Sequence, residues 1–178
     1  FSFSVSISNV TTNDKNTVIS SSLSTLPVII NKAAYCNLKS GIPSNSQLIS
    51  NRAGWIINVE EGVEGAPNNL IDGKTGTDVA LNNKGFWFTV DLGEAKVLTG
   101  IKTNHWANAY APREVEILQS ENGTTWKSLS SLAISGGTQN ITFISPITTR
   151  YLKYQIITIS TNGRTDVTEF NVYEPKSE

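Results

Sequence analysis

Hydrophobic and polar residues alternate with a period of two along much of this chain. The opening "FSFSVSIS" sets Phe1, Phe3, Val5 and Ile7 on one side and serines on the other. Successive side chains of an extended strand point to opposite faces, so this pattern predicts a half-buried strand. "FWFTVDL" (86–92) repeats it, with Phe86, Phe88, Val90 and Leu92 on one face and Trp87, Thr89 and Asp91 on the other. "REVEIL" aligns Val115 with Ile117. "NITFI", "RYLKYQIITI" and "VTEFNVY" read as three more strands rich in β-branched and aromatic residues. Gly93, Asn122-Gly123, Gly136-Gly137 and Asn162-Gly163 punctuate these runs as turns. No segment sustains a helical period. Short strands at close spacing predict an all-β sandwich or jelly roll.

Residues 9–50 are less regular. One apolar run, Leu26 to Ile30, sits among polar stretches, and Gly41-Ile42-Pro43 marks a turn. This predicts a small N-terminal β-unit or linker over residues 1–48, followed by one module over 49–176. No internal repeat is visible.

Composition narrows the classes. The chain has 178 residues, a formal net charge of −1 and only 16% charged residues. That is long enough to bury a sizeable core. The near-neutral balance gives no electrostatic footprint for nucleic acid or an anionic membrane. Abundant Ser, Thr, Asn and Gly suit an all-β extracellular or cell-surface protein. The single cysteine, Cys36, forms no disulfide framework and no cysteine-based zinc site, and reads as a small buried hydrophobe. No run of about 18 apolar residues occurs, so no membrane insertion is expected. The sequence lacks an initiating Met and a signal-like start, which points to a processed or excised fragment.

Catalysis finds little support. Glycoside hydrolysis needs two carboxylates at a set separation in a cleft, and the one acidic pair, Glu60-Glu61, falls in a loop. A Ser-His-Asp arrangement would have to use His105, the only histidine. No Gly-x-Ser-x-Gly elbow and no Gly-rich phosphate loop is present.

Five pieces together carry a resemblance: "LIDGKTGT" (70–77), "FWFTVDLG" (86–93), "PREVEILQSENGTTW" (112–126), "TRYLKYQI" (149–156) and "VTEFNVY" (167–173). In this order, after an opening Trp55, they resemble the discoidin, or coagulation-factor C-type, superfamily. They are most similar to the carbohydrate-binding modules that bacteria attach to glycan-processing and surface proteins. The resemblance implies a galactose-binding-like jelly-roll sandwich of about eight strands and does not reach residues 1–48. It implies a glycan partner, galactose-type most often, and a place in a larger multidomain protein. The setting would be extracellular or at the cell surface, outer-membrane-associated in a bacterium. Protein adhesion or lipid binding is the alternative within the superfamily. Lipid fits less well, because few lysines accompany the loop aromatics. One departure stands out: Val79 occupies a position where the family usually has Trp.

The resemblance also implies an ion. Family members hold calcium in the loop corresponding to 68–78, and a hard cation wants six to eight oxygens. Carried over by position, the ligands are the Asn69 carbonyl, the Asp72 carboxylate, the Lys74 carbonyl, Thr77 through carbonyl and hydroxyl, and Glu169 from the last strand. Such an ion would be structural. Taken alone, the same residues read rather as an Asx turn at Asp72 and a solvent-facing Glu169.

Sugar recognition needs an aromatic platform together with planar or charged hydrogen-bonding groups. "TNHWANAYAPR" (103–113) offers Asn104, His105, Trp106, Asn108, Tyr110 and Arg113 between two strands, and "STNGRTD" (160–166) adds Asn162 and Arg164. The plain alternatives are a lone histidine without a role, an Arg113 ion pair with Glu114 or Glu116, and an ordinary Asn-Gly turn. Trp126 reads as core, Trp55 as structural, and Trp87 as packed or exposed. Only Trp106 makes a strong claim on a ligand.

Overall fold

Alternation becomes burial in the computed structural model, which describes residues 36–39 and 41–177. In chain order the strands are β1 (Cys36–Lys39), β2 (Ser46–Leu48), β3 (Ile56–Val59), β4 (Val79–Asn82), β5 (Trp87–Asn104), β6 (Glu114–Ser120), β7 (Lys127–Ala133), β8 (Thr138–Thr158), β9 (Arg164–Val167) and β10 (Glu169–Pro175). A single 3-10 turn, Pro67–Leu70, precedes β4. No α-helix occurs among the described residues. The expected strand at 1–8 and the apolar run at 26–30 lie outside the described residues.

β5 and β8 are the long strands that carry the architecture. They pair antiparallel from Trp87↔Gln155 to Asp91↔Tyr151 and again from Lys96↔Thr149 to Asn104↔Thr138, with the register shifting between. On their outer sides, the first half meets β3 and β6, the second β10 and β1. The ladder bends at these shifts and folds its two halves face to face. The aromatic contacts show it: Phe88 of the first half lies 5.1 Å, centroid to centroid, from Phe170 of β10, which pairs with the second half, while Tyr154 stacks on Phe88 at 5.2 Å. All three rings are buried. Removing one would cost about 3–5 kcal/mol through lost contacts and a cavity.

The bends correct two expectations. Gly93 does not end a strand; it is a bulge inside β5, at φ 81°, where pairing skips from Asp91 to Lys96. "NITFI" and "RYLKYQIITI" fall in one strand, β8, whose pairing with β5 shifts between Thr149 and Tyr151 and lapses from Thr142 to Ile147. Pro146, which has no N–H for a ladder, falls inside that gap. The turns expected at Asn122-Gly123, Gly136-Gly137 and Asn162-Gly163 do connect successive strands.

Phe86, Phe88, Val90, Leu92, Val115 and Ile117 are buried as the alternation requires. Val79, in the position of the family's tryptophan, is fully buried in the same core. Among the described residues two strands precede residue 49: β1 pairs with β8 and β2 with β10. Burial pushes the Cys36 thiol up to about 12, which leaves it a core residue without thiolate chemistry at neutral pH.

Three tryptophans are accounted for by packing. Trp55 is buried, with the Arg52 guanidinium 5.8 Å from its ring. Trp87 lies half-buried under the Lys153 ammonium at 5.0 Å. Trp126, expected in the core, is only half-buried at the entry to β7, because the turn ahead of it is exposed.

Candidate functional site

The connection between β5 and β6 is held from below and open above. The Ala107 carbonyl accepts the Tyr110 and Ala111 amides at 3.0 and 3.2 Å, closing a tight turn. Ala111 and Pro112 are buried beneath it. Arg113 does not form the ion pair considered for it. Its Nη2 donates to the Asn108 carbonyl at 3.2 Å and the Thr161 hydroxyl at 3.1 Å. The Asn108 side chain in turn accepts the Gly137 amide. Asn108 and Arg113, both expected to face a ligand, thus tie together the loops after β5, β7 and β8. On this base Trp106 stands 61% exposed.

His105 requires a correction. Its side chain is fully buried. Nδ1 lies 2.6 Å from the Asp166 carbonyl and Nε2 lies 3.3 Å from the Thr103 hydroxyl. Both nitrogens are engaged inside the protein, so His105 holds β9 against the end of β5 and offers nothing to a ligand. The antiparallel β4–β9 ladder sets Asp166 opposite Ala80 and Arg164 opposite Asn82. Asp166 is wholly buried; its Oδ1 accepts the Trp106 amide at 3.2 Å, and its Oδ2 has no hydrogen-bond partner. Arg164 Nη1 bonds Asp78 Oδ2 at 2.8 Å and lies 3.7 Å from Asp166 Oδ2. The Asp78 hydrogen bond raises the guanidinium further above its ordinary value.

Asp78, Trp106, Tyr110, Arg164 and Asp166 together line a cleft of about 240 Å³. Three of the expected residues (Trp106, Tyr110 and Arg164) meet there. Asn104 and Asn162 do not line it. Asn104 bonds the Thr138 hydroxyl at 3.0 Å and borders a separate groove. Asn162 sits exposed at the turn between β8 and β9. Sequence reasoning missed Asp78 and Asp166. The signal for Asp166 was an acid beside buried Val167 on an apolar-facing strand. For Asp78 it was an acid placed directly where the loop becomes strand.

The loop at 68–78 is built differently. Gly73 takes φ 79°, a conformation glycine adopts freely, and turns its amide onto Glu169 Oε1 at 2.5 Å. Asp72 accepts the Lys74 amide on Oδ1 and the Thr77 hydroxyl on Oδ2, both at 2.8 Å. The Thr77 hydroxyl is also 3.4 Å from the Lys74 carbonyl. The Asn69 amide group bonds the Asp78 carbonyl at 2.8 Å. Glu169 is buried, with Arg52 Nη1 3.6 Å from Oε2. Burial pushes the Glu169 carboxyl above its ordinary value; the Gly73 amide and Arg52 pull it back, and the neighbouring Asp72 carboxylate pushes it up again. For Asp72, burial raises the carboxyl, but the Thr77 hydroxyl and the Lys74 amide outweigh it and hold it low.

A hard cation fits this donor set. The set is all oxygen, two carboxylates approach each other, and the buried one is under-neutralised. No three His, Cys, Asp or Glu side chains cluster among the described residues. A cation here would therefore draw on the Lys74 and Asn69 carbonyls and the Thr77 hydroxyl as well.

Two other hollows are less suited to a ligand. A cleft of about 320 Å³ at the far end, lined by Gln119, Asn122, Lys127 and Thr149 among others, contains no aromatic residue. A groove of about 550 Å³ beside Arg52, Lys102, Asn104 and Asn171 also lacks one. Size alone would favour either over the cleft at Trp106, but neither has a ring for stacking.

The F5/8 type C domain model matches residues 50–170, and the chain belongs to that family. Its fold is shared with a family 32 CBM from Clostridium perfringens NanJ in complex with galactose (TM-score 0.62, 22% identity, covering 72% of this chain and 99% of that one). It is similar to an F5/8 type C domain from Bacteroides fragilis (TM-score 0.64, 19% identity, 76% and 100%). It is also similar to the CBM32 of AlyQ in complex with 4,5-unsaturated mannuronic acid (TM-score 0.57, 21% identity, 66% and 92%). No curated protein matches the sequence.

Proposed function

We propose that this chain is a non-catalytic carbohydrate-binding module that takes a sugar of galactose type at the cleft under Trp106. One observation carries the reading: an exposed tryptophan is fixed by its own backbone to a buried aspartate, beside a tyrosine and an arginine–aspartate pair. The ring face of Trp106 stacks on the apolar face of a pyranose, while Arg164, Asp78 and the Tyr110 hydroxyl bond its hydroxyl groups. At about 240 Å³ the cleft suits a single sugar residue. That is below the roughly 300–1,000 Å³ of sites for drug-sized ligands. Similar solved modules in complex with galactose and an alginate sugar support the same reading.

The loop at 68–78 holds a structural calcium ion, bound by Asp72, Glu169, Thr77 and the Lys74 and Asn69 carbonyls. The module serves a larger multidomain protein outside the cell or at its surface, where low charge and abundant Ser, Thr and Asn are at home. A lipid surface suits the loops poorly, because acidic groups rather than lysines surround Trp106.

Titration of the purified chain against methyl galactoside, followed by calorimetry, tests the reading. Saturable one-site binding is the expected result. Absence of heat or saturation with this sugar, and with every member of a glycan array, would overturn it.

A further inference from the structure

The cleft is richer in negative than in positive charge. Asp78 and Asp166 line it, and Glu64 Oε2 lies 3.7 Å from Arg164 Nη2. Arg164 is the only cation among the lining residues, and it is already committed to Asp78 at 2.8 Å. Three carboxylates therefore surround one guanidinium. Asp166 is the most exacting of them: it is wholly buried, and Oδ2 receives no hydrogen bond from the protein. A buried carboxylate without its full set of donors makes the local potential negative and resists the approach of a second anion. Arg113, the other guanidinium at this end, does not line the cleft and is taken up by the Asn108 carbonyl and the Thr161 hydroxyl.

Resting on the sugar-binding reading above, we infer that this cleft selects neutral sugars and rejects uronates, with Asp78 and Asp166 as the residues that set the choice. Each hydroxyl of a neutral hexose brings a proton that a carboxylate can accept. A sugar carboxylate brings none, and adds like charge where the one guanidinium is already neutralised. Arg164 is thus pre-paired: it presents N–H donors to hydroxyl groups but has little net attraction left for an acid. The fold does not dictate this preference, since a domain of similar fold is known in complex with an unsaturated mannuronic acid. The local charge set does.

Methyl galactoside and the methyl glycoside of galacturonic acid (the galacturonate) differ only at C6, where one carries a hydroxymethyl group and the other a free carboxylate. Calorimetric titration of both at low salt tests the inference directly. The galacturonate should bind at least tenfold more weakly than the galactoside. Asp78→Asn should release Arg164 and bring the two affinities closer together, and Asp166→Asn should do the same. Asp166→Asn puts an amide in place of a buried carboxylate, so each variant is checked by its melting curve. Asp78, at the rim, carries the test if Asp166→Asn does not fold. Equal affinities, tighter galacturonate binding, or a gap that Asp78→Asn leaves unchanged would each overturn the charge inference. If both sugars bind equally and Trp106→Ala abolishes both, only that inference fails. If neither sugar binds, the sugar-binding reading fails and the inference with it.

Discussion

Two buried carboxylates three residues apart, Asp166 and Glu169, each support a loop, and the two loops are opposites. Above Asp166 the exposed residue is an aromatic ring, and its loop is pinned by His105, Asn108 and Arg113. Above Glu169 the exposed residues are polar, and the loop turns its Gly73 amide onto Glu169 and its Lys74 amide and Thr77 hydroxyl onto its own Asp72. Each carboxylate has an arginine within 4 Å: Arg164 at 3.7 Å from Asp166 and Arg52 at 3.6 Å from Glu169. What differs is the direction of unmet attraction. At Trp106 the base is fixed and the apolar surface faces outward, the construction of a contact site. At residues 68–78 the acids Asp72 and Glu169 are turned inward onto the loop's own amides and hydroxyl, the arrangement the proposed ion would use. On the reading proposed above, similar parts would serve recognition in one loop and stability in the other.

Removing Glu169 should separate the two loops most sharply. Glu169→Ala leaves Arg52 without its counter-charge and the Gly73 amide without its acceptor, a loss of about 3 kcal/mol that thermal melting would report. Chelation should lower the melting temperature of the parent, since an ion bound only by the folded state stabilises it by mass action. In Glu169→Gln that response should be much reduced. An identical chelator response in both would remove Glu169 from the ligand set.

The same residue makes a prediction in pH. In metal-free protein the Glu169 carboxyl lies above its ordinary value of 4.5, so the fold favours its protonated form. Its contribution to stability is present below the unfolded value, about 4.3, and is lost as pH rises through the raised folded value. Stability of the parent relative to Glu169→Gln should therefore fall as pH rises from about 4. Saturating calcium should reverse that slope, because the ion favours the ionised carboxylate.

Trp106→Ala is the complementary change. Galactoside affinity should drop at least tenfold, or ~1.4 kcal/mol, with the melting temperature nearly unmoved because the ring is 61% exposed. Unfolding of this variant would place Trp106 in the core and erase the contrast between the loops.

Asp91→Asn, at the opposite end of the sandwich, should have the smallest effect. The Arg150 hydrogen bond holds the Asp91 carboxyl below its ordinary value. The pair therefore stabilises above the unfolded carboxylate value, and that stabilisation is lost as pH falls through the lowered folded value. Arg150 is partly exposed, so solvent screens the pair and the melting temperature should move little. Sugar binding should be untouched, and a change in it would mean that the two ends of the sandwich communicate.

The core was legible because period-two alternation records which face of a strand meets the other layer. Phe86, Phe88, Val90, Leu92, Val115 and Ile117 follow from it directly. The bends did not, because Gly93 and Pro146 look like strand ends, and only partner strands on both sides reveal a continuous ladder. In the site, Trp106, Tyr110 and Arg164 were visible as costly or chemically apt loop residues. His105 was misread because nothing local shows that Thr103 and Asp166 close over its ring. Asp166 itself was missed because its role depends on β9 pairing with β4, a contact that no local pattern announces.

The central claim is that sugar binds against Trp106. The chain has four tryptophans, so an ¹⁵N-labelled sample should give four indole N–H resonances, each assigned by a Trp→Phe substitution. Titration with methyl galactoside should move the Trp106 resonance progressively to saturation and leave those of Trp55, Trp87 and Trp126 in place. A saturable shift at any of the other three with Trp106 unmoved, or four unmoved resonances at high sugar concentration, would contradict it.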